Sequence, residues 1–394
     1  MGKSRFALLF VAMSFLGAAV GAAETADAIK ALFKQYSPDA YYLADAYSKK
    51  AKEYGLKDIA AFMDASSEDS RWRSYARIVH ECAIATMDYY RDDSGTMVVL
   101  SRDRNYQVPW TSVFYSVIVA KEIPERLRMA HYSLLVDQPD DLPLGHWAGV
   151  YGLVGEMAAH YLAMKATWEL LPLLKAQGAK APWGSFFQAV NESMASALEF
   201  KYYAMRYILY EERDSPEKYR GIMENTVFAK AFIDLNGTCD AFIARYFAAK
   251  DDLYESIRSA GLAVAEQGSA LVIGPKGAEA RKELSSATYA ALANELSKPA
   301  YRDLLSKLNG GLAVAGTPPF PGMELVATGS ALPIEAVLSE AEALKLGGLN
   351  IGVGKREAVI ATQQLRAQRM GLGPKQSETP ATSSPATASS PAAA

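Results

Sequence analysis

The sequence predicts an all-α protein: a large helical bundle or irregular helical array around a central apolar helix, with at most a minor β-ribbon near residues 96–108. Three observations lead there. Apolar residues recur at three- to four-residue intervals over long stretches, as in Phe186, Val190, Met194, Leu198, Met205 and Leu209. Helix-start signals recur, with Ser37-Pro38-Asp39 and Asp214-Ser215-Pro216-Glu217 each placing proline at a first helical position. Finally, the stretch from Leu142 to Leu174 carries no formal charge before Glu156, and Leu, Met, Trp, Tyr and Ala surround every turn. A helix apolar on nearly all sides has to be buried. Gly145, Gly149 and Gly152, continued by Ala159 and Ala163, give it a stripe of small residues that a neighbouring backbone can approach.

Taken in order, Thr25 to Tyr36 reads as a short helix with Ile29, Leu32 and Phe33 on one side, and Pro38 to Tyr54 as the next, ended by Gly55. Leu56 to Ala65 begins another. The pair LADAY (Leu43 to Tyr47) and GLKDIAAF (Gly55 to Phe62) resembles one unit of the tetratricopeptide or Sel1-like helical repeats, with no second copy at a fixed period. Asp69 to Tyr90 is a longer helix whose apolar face is Trp72, Tyr75, Ile78, Val79, Cys82 and Met87. Thr96 to Leu100 is β-branched and strand-like, with Tyr106 to Val108 as its partner. Helices are expected over Trp110 to Lys121, from Pro124, over Trp183 to Glu212, from Pro216 to about Leu235, and over Cys239 to Ala260, with Asn236-Gly237-Thr238 as a turn. After Gly261 alanine, serine and glycine rise, and helices are expected over Gly277 to Leu296, Pro299 to Leu308, Pro333 to Leu346 and Arg356 to Met370. The expected organisation is a leader over 1–23, a main helical domain over 24–265, a looser helical region over 266–370 and a disordered tail over 371–394, where apolar surface is too scarce to offset ordering entropy.

Lys3 and Arg5 precede an uncharged run from Phe6 to Val20, and Gly21-Ala22-Ala23 follows. That is the layout of a translocation signal, so the expected location is the periplasm or the exterior, with cleavage after Ala22 or Ala23. A net charge of -3 with 22% charged residues gives no basic excess for nucleic acid. An integral span over 142–164 is disfavoured because His146, Glu156 and His160 would be costly in lipid. In an exported chain the two cysteines, Cys82 and Cys239, are compatible with a disulfide, which would stabilise the fold by roughly 5 kcal/mol; the other reading is two buried thiols.

For chemistry, Glu156 and His160 stand four residues apart on one helix face, where a carboxylate can raise the basicity of an imidazole. They either satisfy each other in the core or serve a pocket. His146 lies about 21 Å away along a straight helix and cannot share an ion with His160. His80 and Glu81, neighbours diverging by about 100° on a helix, read as packed or solvated side chains. No HExxH pattern, nucleophile elbow, phosphate loop or dinucleotide fingerprint is present, and neither a cofactor nor a metal is expected. Asp251-Asp252-Leu253-Tyr254-Glu255 resembles the acidic motif with which terpene synthases hold magnesium and a diphosphate, although no second motif follows; a solvated face beside Lys250 and Arg258 is the competing reading. The sequons at Asn191 and Asn236 and the tyrosine doublets 41–42, 89–90 and 202–203 complete the inventory. The expectation is an exported scaffold or binding protein that presents helical surfaces to a protein partner in the envelope or outside the cell. The alternative is an enzyme or small-ligand binder using a buried Glu156/His160 pair.

Overall fold

The computed structural model describes residues 25–89, 94–133 and 148–314. The leader expected over 1–23, His146, Tyr90, the helices expected after 330 and the tail expected over 371–394 lie outside the described residues. What is described is mostly helical, with two small antiparallel sheets.

Helices α1 (Ala26–Tyr36) and α2 (Pro38–Tyr54) follow the sequence signals closely. Thr25 caps α1 by accepting from the Ala28 N–H, and Gly55 ends α2 in the left-handed region at φ 66. The stretch after it makes only a 3-10 turn, Ile59–Phe62, so no helical-hairpin repeat forms. Helix α3 (Glu68–Tyr89) buries the expected face from Trp72 to Met87. Strands β1 (Gly95–Ser101) and β2 (Arg104–Pro109) pair antiparallel, with Val98 opposite Tyr106. In place of the helices expected over Trp110 to Lys121 and from Pro124, the described residues form 3-10 turns at Ser116–Glu122 and Glu125–Leu127. Pro124 has no N–H to continue the first turn, and Val119, Ile123 and Leu127 are instead pinned separately into the core.

Helix α4 (Val150–Glu169) forms most of the described part of the apolar stretch. It packs against α3 and α6 (Trp183–Asp214), and also meets α2, β1 and α8 (Thr226–Ser259). Gly149 at its start has φ 53, and a Cβ there would stand 2.4 Å from the Phe114 carbonyl oxygen, so the close approach requires glycine. The helix stops at Glu169 rather than running to Leu174. Pro172 cannot supply the next ladder bond and instead opens a separate short helix, α5 (Leu171–Gln177).

Two corrections concern α7 (Pro216–Glu224) and α8. The helix expected to reach Leu235 breaks at Asn225, whose side chain accepts from the Phe228 N–H and starts α8. The turn expected at Asn236-Gly237-Thr238 lies inside α8, where the Thr238 hydroxyl donates to the Asp234 carbonyl at 2.6 Å. A third correction is larger. Residues 262–283, expected to be loop and helix, form a meander of β3 (Leu262–Gln267), β4 (Ala270–Pro275) and β5 (Ala280–Glu283). Gln267 pairs with Ala270 across Gly268-Ser269, and Gly268 takes φ 65, as a two-residue hairpin requires. The boundary expected at 265 falls inside β3, and one continuous core runs from Ile29 to Leu308. Helices α9 (Ser286–Leu296) and α10 (Pro299–Val314) close the described chain.

The disulfide considered for Cys82 and Cys239 is not formed: both thiols are free and buried. Burial pushes the Cys239 thiol up to about 12 and Cys82 well above its ordinary value, which makes both inert small hydrophobes. Among the described residues no helix is long and apolar enough to cross a membrane.

Candidate functional site

Where α3, α4 and α6 meet, Ala76, Ala163 and Ala189 form a separate small cluster. Side chains this short let the helices approach and leave room beside them, a cleft of about 560 Å³. Into it project His80 and Glu81 from α3, His160 from α4, Glu199 from α6 and His131 from the chain after the second 3-10 turn. Glu156 of α4 lies behind His80.

His80 is held at both ring nitrogens. Its Nε2 lies 3.0 Å from Glu156 Oε2 and its Nδ1 3.1 Å from Glu81 Oε1. Burial opposes charge on this ring, but the bonds to Glu156 and Glu81 outweigh it and raise the pKa to about 9. His131 is clamped by Glu199, which accepts from the backbone N–H at 3.0 Å and meets the ring Nδ1 at 2.8 Å. The Tyr203 hydroxyl donates to the same carboxylate at 2.6 Å. His160 stands between these two rings, 4.3 Å from His80 and 5.0 Å from His131 between centroids, and stacks on Phe200 at 5.5 Å. Its Nε2 is buried with no hydrogen-bond partner. Burial, and then the neighbouring His80 and His131, hold its pKa well below the ordinary imidazole value. At the mouth, burial raises the pKa of Glu192 against the pull of Arg73, and Gln188 donates to Glu192 at 3.0 Å.

One donor atom from each of His80, Glu156 and His160 falls within a sphere of separations no greater than 4.8 Å. Two imidazoles and a carboxylate are a donor set that a first-row transition metal can use. The other sequence-level readings fare unevenly. Glu156 and His160 do reach the same place, where Glu156 bonds His80 and His160 Nε2 has no hydrogen-bond partner. His80 and Glu81, expected as packed or solvated side chains, both line the cleft, and the long Glu81 side chain bends back to the ring despite the 100° divergence. Asp251, Asp252 and Glu255 lie exposed on α8, with Glu255 paired to Arg258 at 3.1 Å. Asn191 is buried and donates to Tyr246, so that sequon faces inward, and Tyr202 and Tyr203 are core residues. His131 and Glu199 were missed. The signal for Glu199 was a carboxylate set in the otherwise apolar run ASALEF; His131 had none, because its partners are distant in sequence. Comparison of the chain with family models, curated proteins and solved structures yields no match.

Proposed function

We propose that the chain is an exported protein that takes a small ligand into the cleft between α3, α4 and α6 and acts on it through the histidine–carboxylate cluster. One observation carries this reading: three of the chain's four histidines, with Glu81 and Glu199, line one cleft from four separate stretches, and Glu156 backs His80 there. A layer needed only for packing has no use for so many polar groups, since each costs a few kcal/mol on burial unless bonded. A concave site with few convergent polar groups on a wall of small residues is what small-ligand recognition needs. Lys3, Arg5 and the apolar run over 6–20 support delivery to the periplasm or beyond, where the ligand would be met. The scaffold reading draws on less. The exposed large apolar side chains among the described residues are Phe114, Tyr115 and Phe247, and Lys218 already covers Phe114 at 4.1 Å from the ring centroid.

The test is thermal denaturation of the purified chain against a panel of carboxylic acids, amines, sugars and p-nitrophenyl esters. At least one compound should be turned over, or should raise the melting temperature by about 5 °C at about 100-fold above its Kd. Glu156→Gln and the cleft-wall variant Ser196→Trp should lose that response with an unchanged circular dichroism spectrum. Silence across the panel, with Glu156→Gln affecting stability alone, returns the scaffold reading.

A further inference from the structure

We infer that His80, Glu156 and His160 bind one divalent first-row transition metal ion, of the zinc or iron(II) class, at the floor of the cleft. The inference rests on the reading of that cleft as a ligand site. Imidazole and carboxylate donors in a two-to-one ratio suit these ions, and three protein ligands leave further positions open for water or substrate. The three donors come from two helices that pack on each other, so the backbone already sets their spacing. Glu156 and His160 share a face of α4 at four residues, and His80 faces them from α3.

Distances support one ion rather than three unrelated side chains. Donors bound at about 2.0–2.2 Å from a metal lie about 3.0–3.5 Å from one another. His80 Nε2 and Glu156 Oε2 already stand 3.0 Å apart, and the set as a whole lies within 4.8 Å. A side-chain swing of about 1–2 Å by His160 therefore closes the site. His160 Nε2 is the second, independent observation: a buried ring nitrogen without a partner is expensive, and an ion supplies the missing bond. Around the donors stands the support such sites need. Glu81 holds His80 at Nδ1, which directs Nε2 toward the donor set, and Phe200 fixes the plane of the His160 ring. A dication with one bound carboxylate keeps a positive charge, and Glu81 at the back of His80 offsets it. His131, held by Glu199, lines the same cleft with its ring 5.0 Å from that of His160 between centroids, close enough to meet a water or substrate group bound there. An ion whose open positions face a cleft acts on what enters it, by activating water or polarising a bound oxygen.

The experiment strips the full chain with chelator and titrates it with Zn2+ and, for its visible spectrum, Co2+. One ion per chain with a Kd of micromolar or tighter is expected. Glu156→Gln and His160→Asn should each weaken binding by at least about 100-fold, and the positioning variant Glu81→Gln by about 10- to 100-fold. Because a variant could fail to fold, the wild-type chain loaded with Cu2+ is also read by pulsed electron paramagnetic resonance, where coupling to two imidazoles is expected. Failure of the wild type to bind any of these ions, absence of imidazole coupling, or affinity unchanged in folded Glu156→Gln and His160→Asn overturns the inference. A wild type that takes no ion yet responds to the small-molecule panel loses the metal and keeps the cleft reading. A chain that binds one ion through these residues and ignores the panel does the reverse.

Discussion

Helix α4 carries two polar pairs at the same four-residue spacing, Glu156–His160 and Lys165–Glu169, and they differ in how completely they are bonded. At the second, Lys165 donates to Asp39 Oδ2 and Glu169 Oε1, both at 2.6 Å. The Ser37 hydroxyl donates to the other Glu169 oxygen at 2.6 Å, and the Arg102 backbone N–H to the other Asp39 oxygen at 2.9 Å. Each charge there meets an opposite charge or a donor, as a structural network must. At the first, Glu156 turns to another helix, and His160 keeps a buried nitrogen with nothing to bond. Equal spacing on one helix thus serves fastening in one place and leaves valence open in the other. The difference teaches that completeness of bonding, rather than the presence of charge, separates a structural cluster from a site.

That contrast can be broken by measurement. The largest effect is expected from Lys165→Met, which leaves Asp39 and Glu169 facing each other: a loss of about 2–3 kcal/mol in urea unfolding. A loss under about 0.5 kcal/mol would remove the fastening role. Ser37→Ala should follow, at about 1–2 kcal/mol, by stripping one donor from Glu169. The alkaline limb sharpens the same point. Burial works against charge on Lys165, but Asp39 and Glu169 outweigh it and raise its pKa above the ordinary lysine value. A raised folded-state pKa stabilises fully below the unfolded value of about 10.4 and is lost as pH climbs through the folded one. The stability gap between wild type and Lys165→Met should therefore stay level from pH 7 to about pH 10 and narrow above it. The smallest effect is expected from His160→Phe in the metal-free chain, within about 1 kcal/mol in either direction, because it deletes an unbonded polar group while keeping a ring against Phe200. A loss beyond about 3 kcal/mol would make His160 a structural residue and level the two pairs.

Much of the helical framework was legible in the sequence. Thr25, Ser37-Pro38 and Gly55 mark their helix ends locally, and the face of α3 repeats with helical period, so those elements came out within a residue or two. The meander at 262–283 differs from the expectation although its signal is present: LAVAEQ and ALVIGP flank Gly268-Ser269, a two-residue turn between apolar runs, in a stretch whose rise in alanine reads as helix. The site was half legible. Glu156 and His160 were visible because α4 is otherwise apolar, which makes a polar side chain conspicuous. Their actual partners were hidden, since His80, His131 and Glu199 meet them only through packing of α3, α4 and α6, and no periodicity along the chain encodes that.

The alanine layer beneath the cleft has its own consequence. Ala76, Ala163 and Ala189 have no rotamers, so the depth of the space above them follows the helix backbones and not the mood of side chains. Three codons therefore act as a dial for ligand size. Enlarging any one of them to valine or leucine should take one or two carbon layers from the cleft, and a graded series of ligands should drop out from the bulkiest downward.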